Sequence, residues 1–124
     1  PNGCGKSTLV NIIAGLDRPD SGIIAGVDRM DGQVGYVFQD YRRSLLPWCS
    51  VKENILFPLS LRGVPRQTAA KRLEEIIEVS GIQLDLKQRV YSLSGGQAQA
   101  VSILRALIIN PKILILDEPF AALD

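Results

Sequence analysis

The sequence predicts an α/β fold: a parallel sheet that carries a phosphate-binding loop, with a helical insertion over about residues 45–92. Three observations predict it. Residues 3–8 read G-C-G-K-S-T and run straight into apolar residues at helical spacing. Residues 34–39 (VGYVFQ) and 112–117 (KILILD) are β-branched, aromatic or aliphatic runs of strand length. Between those runs lie most of the helix-start and helix-stop signals of the 124-residue chain, an order that suits helices laid against a sheet.

After the glycine loop, Leu9, Ile12, Ile13 and Leu16 recur at i, i+3, i+4 and i+7, which predicts a helix over about residues 7–15. Its leading N–H groups point back at the loop. The turn formers of residues 17–22 (DRPDSG) stop it. Residues 22–27 (GIIAGV) read as a short strand, and residues 34–39 as a second, buried on both faces. Ser50 and Glu53 form an S-x-x-E capping box that starts a helix running towards Gly63, with Pro58 expected to kink it. Pro65 opens the next helix. There Ala69, Leu73, Ile76, Ile77 and Ser80 share one face, Lys71 and Glu75 can pair, and Gly81 suits the C-terminal cap. A further helix is expected over about residues 97–109, ended by Asn110-Pro111, and residues 112–117 then form a fully buried strand.

Composition bounds the function. With 46% hydrophobic residues, a chain of one-domain size can bury a core. The net charge of +1 leaves no electrostatic footprint for nucleic acid or for an anionic membrane surface. Cys4 and Cys49 are the two cysteines, and a disulfide at Cys4 would restrict the glycine loop; a reducing, cytoplasmic setting fits better. The most apolar stretch, residues 106–116, is broken by Asn110, Pro111 and Lys112, so it falls short of the roughly 20 apolar residues of a membrane helix. The polar, glycine-rich start does not read as a signal peptide.

Three motifs carry chemistry. In the first, glycines let backbone N–H groups converge on phosphate oxygens, Lys6 can reach the β/γ-phosphates and the Ser7 hydroxyl can hold Mg²⁺. The bland alternative is a glycine-rich turn before an ordinary helix. In the second, ILILDEP, apolar residues deliver Asp117 and Glu118 to the carboxyl end of a strand, where α/β sheets bind ligands. Asp117 can bind the Mg²⁺ shell, and Glu118 is placed to polarise an attacking water; otherwise they are two solvated carboxylates. In the third, LSGGQ (residues 93–97), a serine and two glycines precede a helix and form a second terminus able to bind an anion. Two such termini exceed what one nucleotide needs.

Taken in order, GCGKST, VFQD, LSGGQ, ILILDEP and AALD resemble the nucleotide-binding domain of ABC transporters over essentially the whole chain. The resemblance implies a P-loop NTPase (RecA-like) parallel sheet core, residues 1–44 and 93–124, with a helical subdomain over about residues 45–92. It implies ATP and Mg²⁺ as ligands. Asn2, Gly3, Cys4, Gly5, Lys6, Ser7 and Thr8 then form the Walker A loop, and Ser94, Gly95, Gly96 and Gln97 the signature. Gln39 matches the Q-loop glutamine that senses metal and nucleotide, Asp117 the Walker B aspartate and Glu118 the catalytic glutamate. Ser7, Gln39 and Asp117 become the metal-holding set, while Ala122, Leu123 and Asp124 match the D-loop. In this family two domains meet head to tail, with each ATP between one Walker A loop and the other domain's signature. A membrane permease is the second implied partner, at the cytoplasmic face of the cell membrane, and no nucleic acid is expected.

Departures from the pattern are informative. The loop consensus asks for a glycine just before Pro1, and the chain has no histidine for the family's switch position. The expectation is a chain truncated at both ends, whose parent is an ATPase and which alone does not turn over. Ala98 and Ala100 stand where the family shows basic residues, which predicts a loss of charge beside the signature. SLLPW (residues 44–48) is similar to importers of the nitrate, sulfonate or taurine type. Arg42 and Arg43 read as a solvated pair, and Cys4 as a small loop residue. Two alternatives stand beside the importer ATPase. One is a soluble ABC-type ATPase acting in DNA repair or translation, although the insertion lacks sustained heptads. The other is a non-catalytic nucleotide-binding fragment.

Overall fold

The computed structural model describes residues 5–24 and 34–118. Its elements are α1 (Lys6–Ile13), β1 (Val34–Val37), α2 (Tyr41–Ser44), α3 (Val51–Leu61), α4 (Arg66–Ser80), α5 (Gly95–Leu107) and β2 (Ile113–Leu116), with a 3₁₀ turn at Val90–Ser92. β1 and β2 pair in parallel, Val34 opposite Ile113 through Val37 opposite Leu116. The Asp117 N–H donates to Val37 O at 3.0 Å and carries the ladder one step beyond the strands. Of the strand expected over residues 22–27, Gly22, Ile23 and Ile24 are not in a strand, and the remainder lies outside the described residues.

The strands are less buried than their sequences suggested. Gly35 and Val37 are buried, but Tyr36 is half-buried and Phe38 exposed. In β2, Ile113, Leu114 and Ile115 are half-buried and Leu116 is exposed. Burial on both faces requires cover from helices on both sides and strands on both edges. Among the described residues β2 pairs only with β1, and tight helix packing is evident where α5 meets Gly35. A Cβ at Gly35 would come within 2.7 Å of the Ala106 carbonyl oxygen, so glycine permits the close approach of strand and helix.

The core is built around α5. Ala98, Val101, Leu104 and Ile108 are each 4% exposed or less and pack with Val51, Ile55 and Leu59, the fully buried i, i+4, i+8 stripe of α3. Ala69 and Leu73 bring α4 onto the same cluster. Both halves of the Ser50–Glu53 capping box form, at 2.6 and 3.2 Å. The next N–H groups of α3 also find acceptors: Val51 donates to Gln88 O and Lys52 to Leu86 O, each at 2.9 Å. α4 ends at Gly81, whose φ of 65° is the left-handed cap that glycine adopts without strain. Lys71 and Glu75 make no ion pair among the described residues. α5 starts two residues earlier than the apolar spacing suggested, because Ser94 and Gln97 form a capping box of their own, at 3.0 and 3.2 Å.

Asn54 was invisible to apolar patterning, yet it is fully buried. Its side chain accepts from Leu46 N at 2.8 Å and donates to Leu46 O at 3.1 Å and Ser50 O at 3.0 Å. One amide thus satisfies the backbone of the loop that leads into α3, where unpaired groups would be costly.

Candidate functional site

α1 begins at the phosphate-type loop. Gly5 has φ 88° and ψ 9°, a left-handed conformation that a residue with a Cβ resists. Its carbonyl accepts the first helical bond, from Leu9 N at 2.9 Å. Lys6, Ser7 and Thr8 therefore occupy the first turn, where N–H groups lack intrahelical acceptors and the helix dipole is positive. All three are exposed.

The parallel register determines what lies opposite. The offset of 79 residues between Val34 and Ile113 also separates Gln39 from Glu118, so both reach the same edge of the sheet. Gln39 Nε2 donates to Glu118 Oε2 at 2.9 Å, and Lys6 Nζ donates to Glu118 Oε1 at 3.0 Å. Lys6, Gln39 and Glu118 form one cluster drawn from α1, the end of β1 and the end of β2. The Lys6 and Glu118 side chains are 49% and 36% exposed, so solvent screens their attraction and it contributes little to stability. Glu118 also has φ 47°, a strained conformation for a residue with a side chain and one that clusters at functional sites.

Beside this cluster an open cleft of about 600 Å³ is lined by Ser7, Asn11, Tyr36, Gln39 and Asp117 among others. The three residues expected to hold a metal thus face one space. A serine hydroxyl, an amide oxygen and a carboxylate are hard oxygen donors of the kind Mg²⁺ takes, so the residues present fit that ion. Across the cleft, the Tyr36 hydroxyl donates to Asn11 Oδ1 at 3.3 Å and ties β1 to α1. Burial, and then the neighbouring Asp117 charge, push the Tyr36 phenol above its ordinary pKa and keep that donor protonated. Tyr36 and Phe38 stack at 4.3 Å on the same side of the strand.

Ser94, Gly95, Gly96 and Gln97 lie apart from this cluster, at the start of α5. Asn2, Gly3, Cys4, Ala122, Leu123 and Asp124 fall outside the described residues. Arg42 and Arg43 are both exposed, as a solvated pair would be, but each also has a partner. Arg43 bonds Asp40 at 3.0 Å, and Arg42 Nη2 donates to Leu93 O at 3.2 Å. Asp40 caps α2, accepting from Arg43 N, and an aspartate just before Y-R-R was the sequence signal for that short helix. Arg105 gave no such signal; its guanidinium donates to Ser44 O at 2.6 Å and Ser44 Oγ at 2.8 Å. Burial lowers the Arg105 pKa from its ordinary value.

A helix that starts behind a left-handed glycine and faces a strand-end glutamate on a parallel pair, with a separate serine-capped helix that opens on two glycines, is an arrangement of the nucleotide-binding class. The family model for ABC transporters matches residues 1–121, and the chain belongs to that family. It is 41% identical to the taurine import ATP-binding protein TauB of Pseudomonas aeruginosa, covering 100% of this chain and 48% of that protein. To the molybdate/tungstate import ATP-binding protein WtpC of Pyrococcus abyssi it is 44% identical, covering 100% of this chain and 38% of the relative. The chain thus spans less than half the length of either. Among solved structures, cbiO1 of Clostridium perfringens, part of the ABC transporter complex cbiONQ, superposes with TM-score 0.85 at 32% identity, over 100% of this chain and 53% of cbiO1. The dimeric ABC transporter cassette MJ0796 gives TM-score 0.79 at 34% identity, over 100% of this chain and 60% of the other. The fold is that of a P-loop ABC ATPase cassette.

Proposed function

We propose that this chain supplies the ATP-binding and hydrolysing machinery of an ABC importer subunit, acting as a head-to-tail pair beneath a membrane permease at its cytoplasmic face. The observation that carries the proposal is Glu118 held between Lys6 and Gln39 at the carboxyl edge of the parallel pair. The relatives described as import ATP-binding proteins support the importer reading, as does SLLPW. Residues 1–44 and 93–124 would form the catalytic core, and about 45–92 the helical subdomain.

In the proposed mechanism the loop before α1 and its first N–H groups bind the phosphates. The Lys6 ammonium exchanges the Glu118 carboxylate for the more highly charged β/γ-phosphates. Release from Lys6 leaves Glu118 as the base that takes a proton from the attacking water, while Gln39 holds its other oxygen. Ser7, Gln39 and Asp117 would hold Mg²⁺, which when bound neutralises charge developing on the phosphates. Ser94, Gly95 and Gly96 would contact the ATP of the opposite domain.

The permease would dock on the lobe formed by residues 45–61. Leu45 is buried in the core and Leu46 half-buried, so these two pack the lobe itself. Trp48 and Leu61, each 72% exposed, and Phe57 at 37% leave apolar area for a partner.

The test is made in the full-length protein that contains this chain. Lys6→Ala should weaken nucleotide binding. Glu118→Gln should keep or tighten it, since it removes the anion that competes for Lys6, while slowing phosphate release by about a hundredfold or more. Equal loss of binding in both variants would overturn the assigned roles.

A further inference from the structure

We propose that Arg42 is a positioning residue for the signature turn, tying the first turn of α5 to the segment that follows Gln39. The inference rests on the reading that the Ser94 turn faces a nucleotide held by a second copy.

α2 begins two residues after Gln39 and lies against α5. Its first two residues flank the signature. The Tyr41 hydroxyl would sit 3.4 Å from a Cβ placed on Gly95, and Arg42 Nη2 donates to the carbonyl of Leu93 at 3.2 Å. At the other end of α2, Arg105 of α5 holds Ser44 through both its backbone and its hydroxyl oxygen. The short helix is therefore fastened at one end to the peptide that leads into α5 and at the other to α5 itself.

The bond to Leu93 O acts on the peptide that enters the signature. A cationic donor on that carbonyl polarises the same peptide's N–H, which belongs to Ser94 and donates to Gln97 Oε1 at 3.0 Å. Ser94 Oγ in turn accepts from Gln97 N at 3.2 Å. With this box held, the N–H groups of Gly95 and Gly96 are the first two of the helix and have no intrahelical acceptor. A Cβ on Gly96 would meet nothing within 4 Å, so this turn faces open space.

Arg42 also answers the question raised by Ala98. That side chain is fully buried and helps line a cleft of about 300 Å³ beside Arg42, Val90 and Tyr91. Position 98 cannot display a charge in this packing. The guanidinium reaches the signature from α2 instead, and with it a physical link from Gln39 to Ser94.

The test uses the full-length protein in a Glu118→Gln background, with Arg42→Ala, Arg42→Met and Arg42→Lys compared. Methionine keeps the stem that packs beside Ala98 and removes the donors. Affinity for ADP, measured by calorimetry on the monomer, should stay within about twofold in all three. The ATP concentration needed for dimer formation, measured by sedimentation, should rise about fivefold in the alanine and methionine variants. Lysine, which keeps a cationic donor, should recover part of that loss. Unchanged dimerisation in the methionine variant overturns the proposal, as does a matching loss of ADP affinity. If Glu118→Gln alone forms no ATP-driven dimer, the head-to-tail reading fails and this inference with it.

Discussion

At the scale of single residues, two buried polar side chains in neighbouring helices have opposite fates. Asn54 satisfies the loop around Leu46 with every polar atom it has, whereas the hydroxyl of Ser102, a residue 1% exposed, has no hydrogen-bond partner among the described residues. Removing Asn54 strands the Leu46 N–H and C=O, so Asn54→Ala should destabilise by about 3 kcal/mol in chemical denaturation. Ser102→Ala removes a hydroxyl whose desolvation nothing offsets. It should leave stability unchanged or raise it by up to about 1 kcal/mol, and a clear loss would show that the hydroxyl has an acceptor. Neither role was legible in the sequence, since an asparagine in a helical stretch carries no sign of which backbone it will face.

At the scale of elements, two helices share one capping device with different chemistry. α3 closes its box with Glu53, α5 with Gln97. Hydrogen bonds from Ser50 hold the Glu53 carboxyl below its ordinary value of 4.5, the Arg89 charge adding a smaller push. A depressed carboxyl contributes in full above its ordinary value and loses the contribution as pH falls through the depressed one. Amide exchange at the first turn of α3, taken relative to the rate of an unstructured chain at the same pH, should therefore quicken only as pH falls below the ordinary value of 4.5, while the first turn of α5 keeps its protection. Parallel quickening in both helices would mean that global unfolding, not the cap, is being read. The contact of β1 with α5 gives a second test. Gly35→Ala forces a methyl to within 2.7 Å of a backbone oxygen, and should cost about 1–3 kcal/mol in thermal or chemical denaturation.

At the scale of the whole molecule, the proposed function needs three kinds of piece to meet: a helix start, a pair of strand ends and a signature turn. Only the first two meet within the described residues, at Glu118. The exposed side chains of Trp48, Phe57 and Leu61 extend the proposal outward to the permease. Cysteines placed at 48, 57 and 61 of the full-length complex should cross-link to permease loops, whereas one at buried Leu45 should not. Efficient linking from the sheet side, with all three lobe sites silent, would place the docking surface elsewhere.

The sequence by itself determined the parts whose physics is local. A glycine in the left-handed region at Gly5, the S-x-x-E box of α3 and the glycine stop at Gly81 each follow from interactions within about four residues. The order of motifs that marks the family is also read from the sequence alone. Tertiary structure decided what depends on partners far along the chain. The strand register brought Gln39 onto Glu118 across 79 residues, and helix packing gave Arg42 the carbonyl of Leu93 and Arg105 the oxygens of Ser44 as partners. Strand burial was misjudged for the same reason. An apolar run reports that a strand can be covered, but the cover is supplied by other segments, and no local pattern in Val34–Val37 or Ile113–Leu116 says which faces they reach.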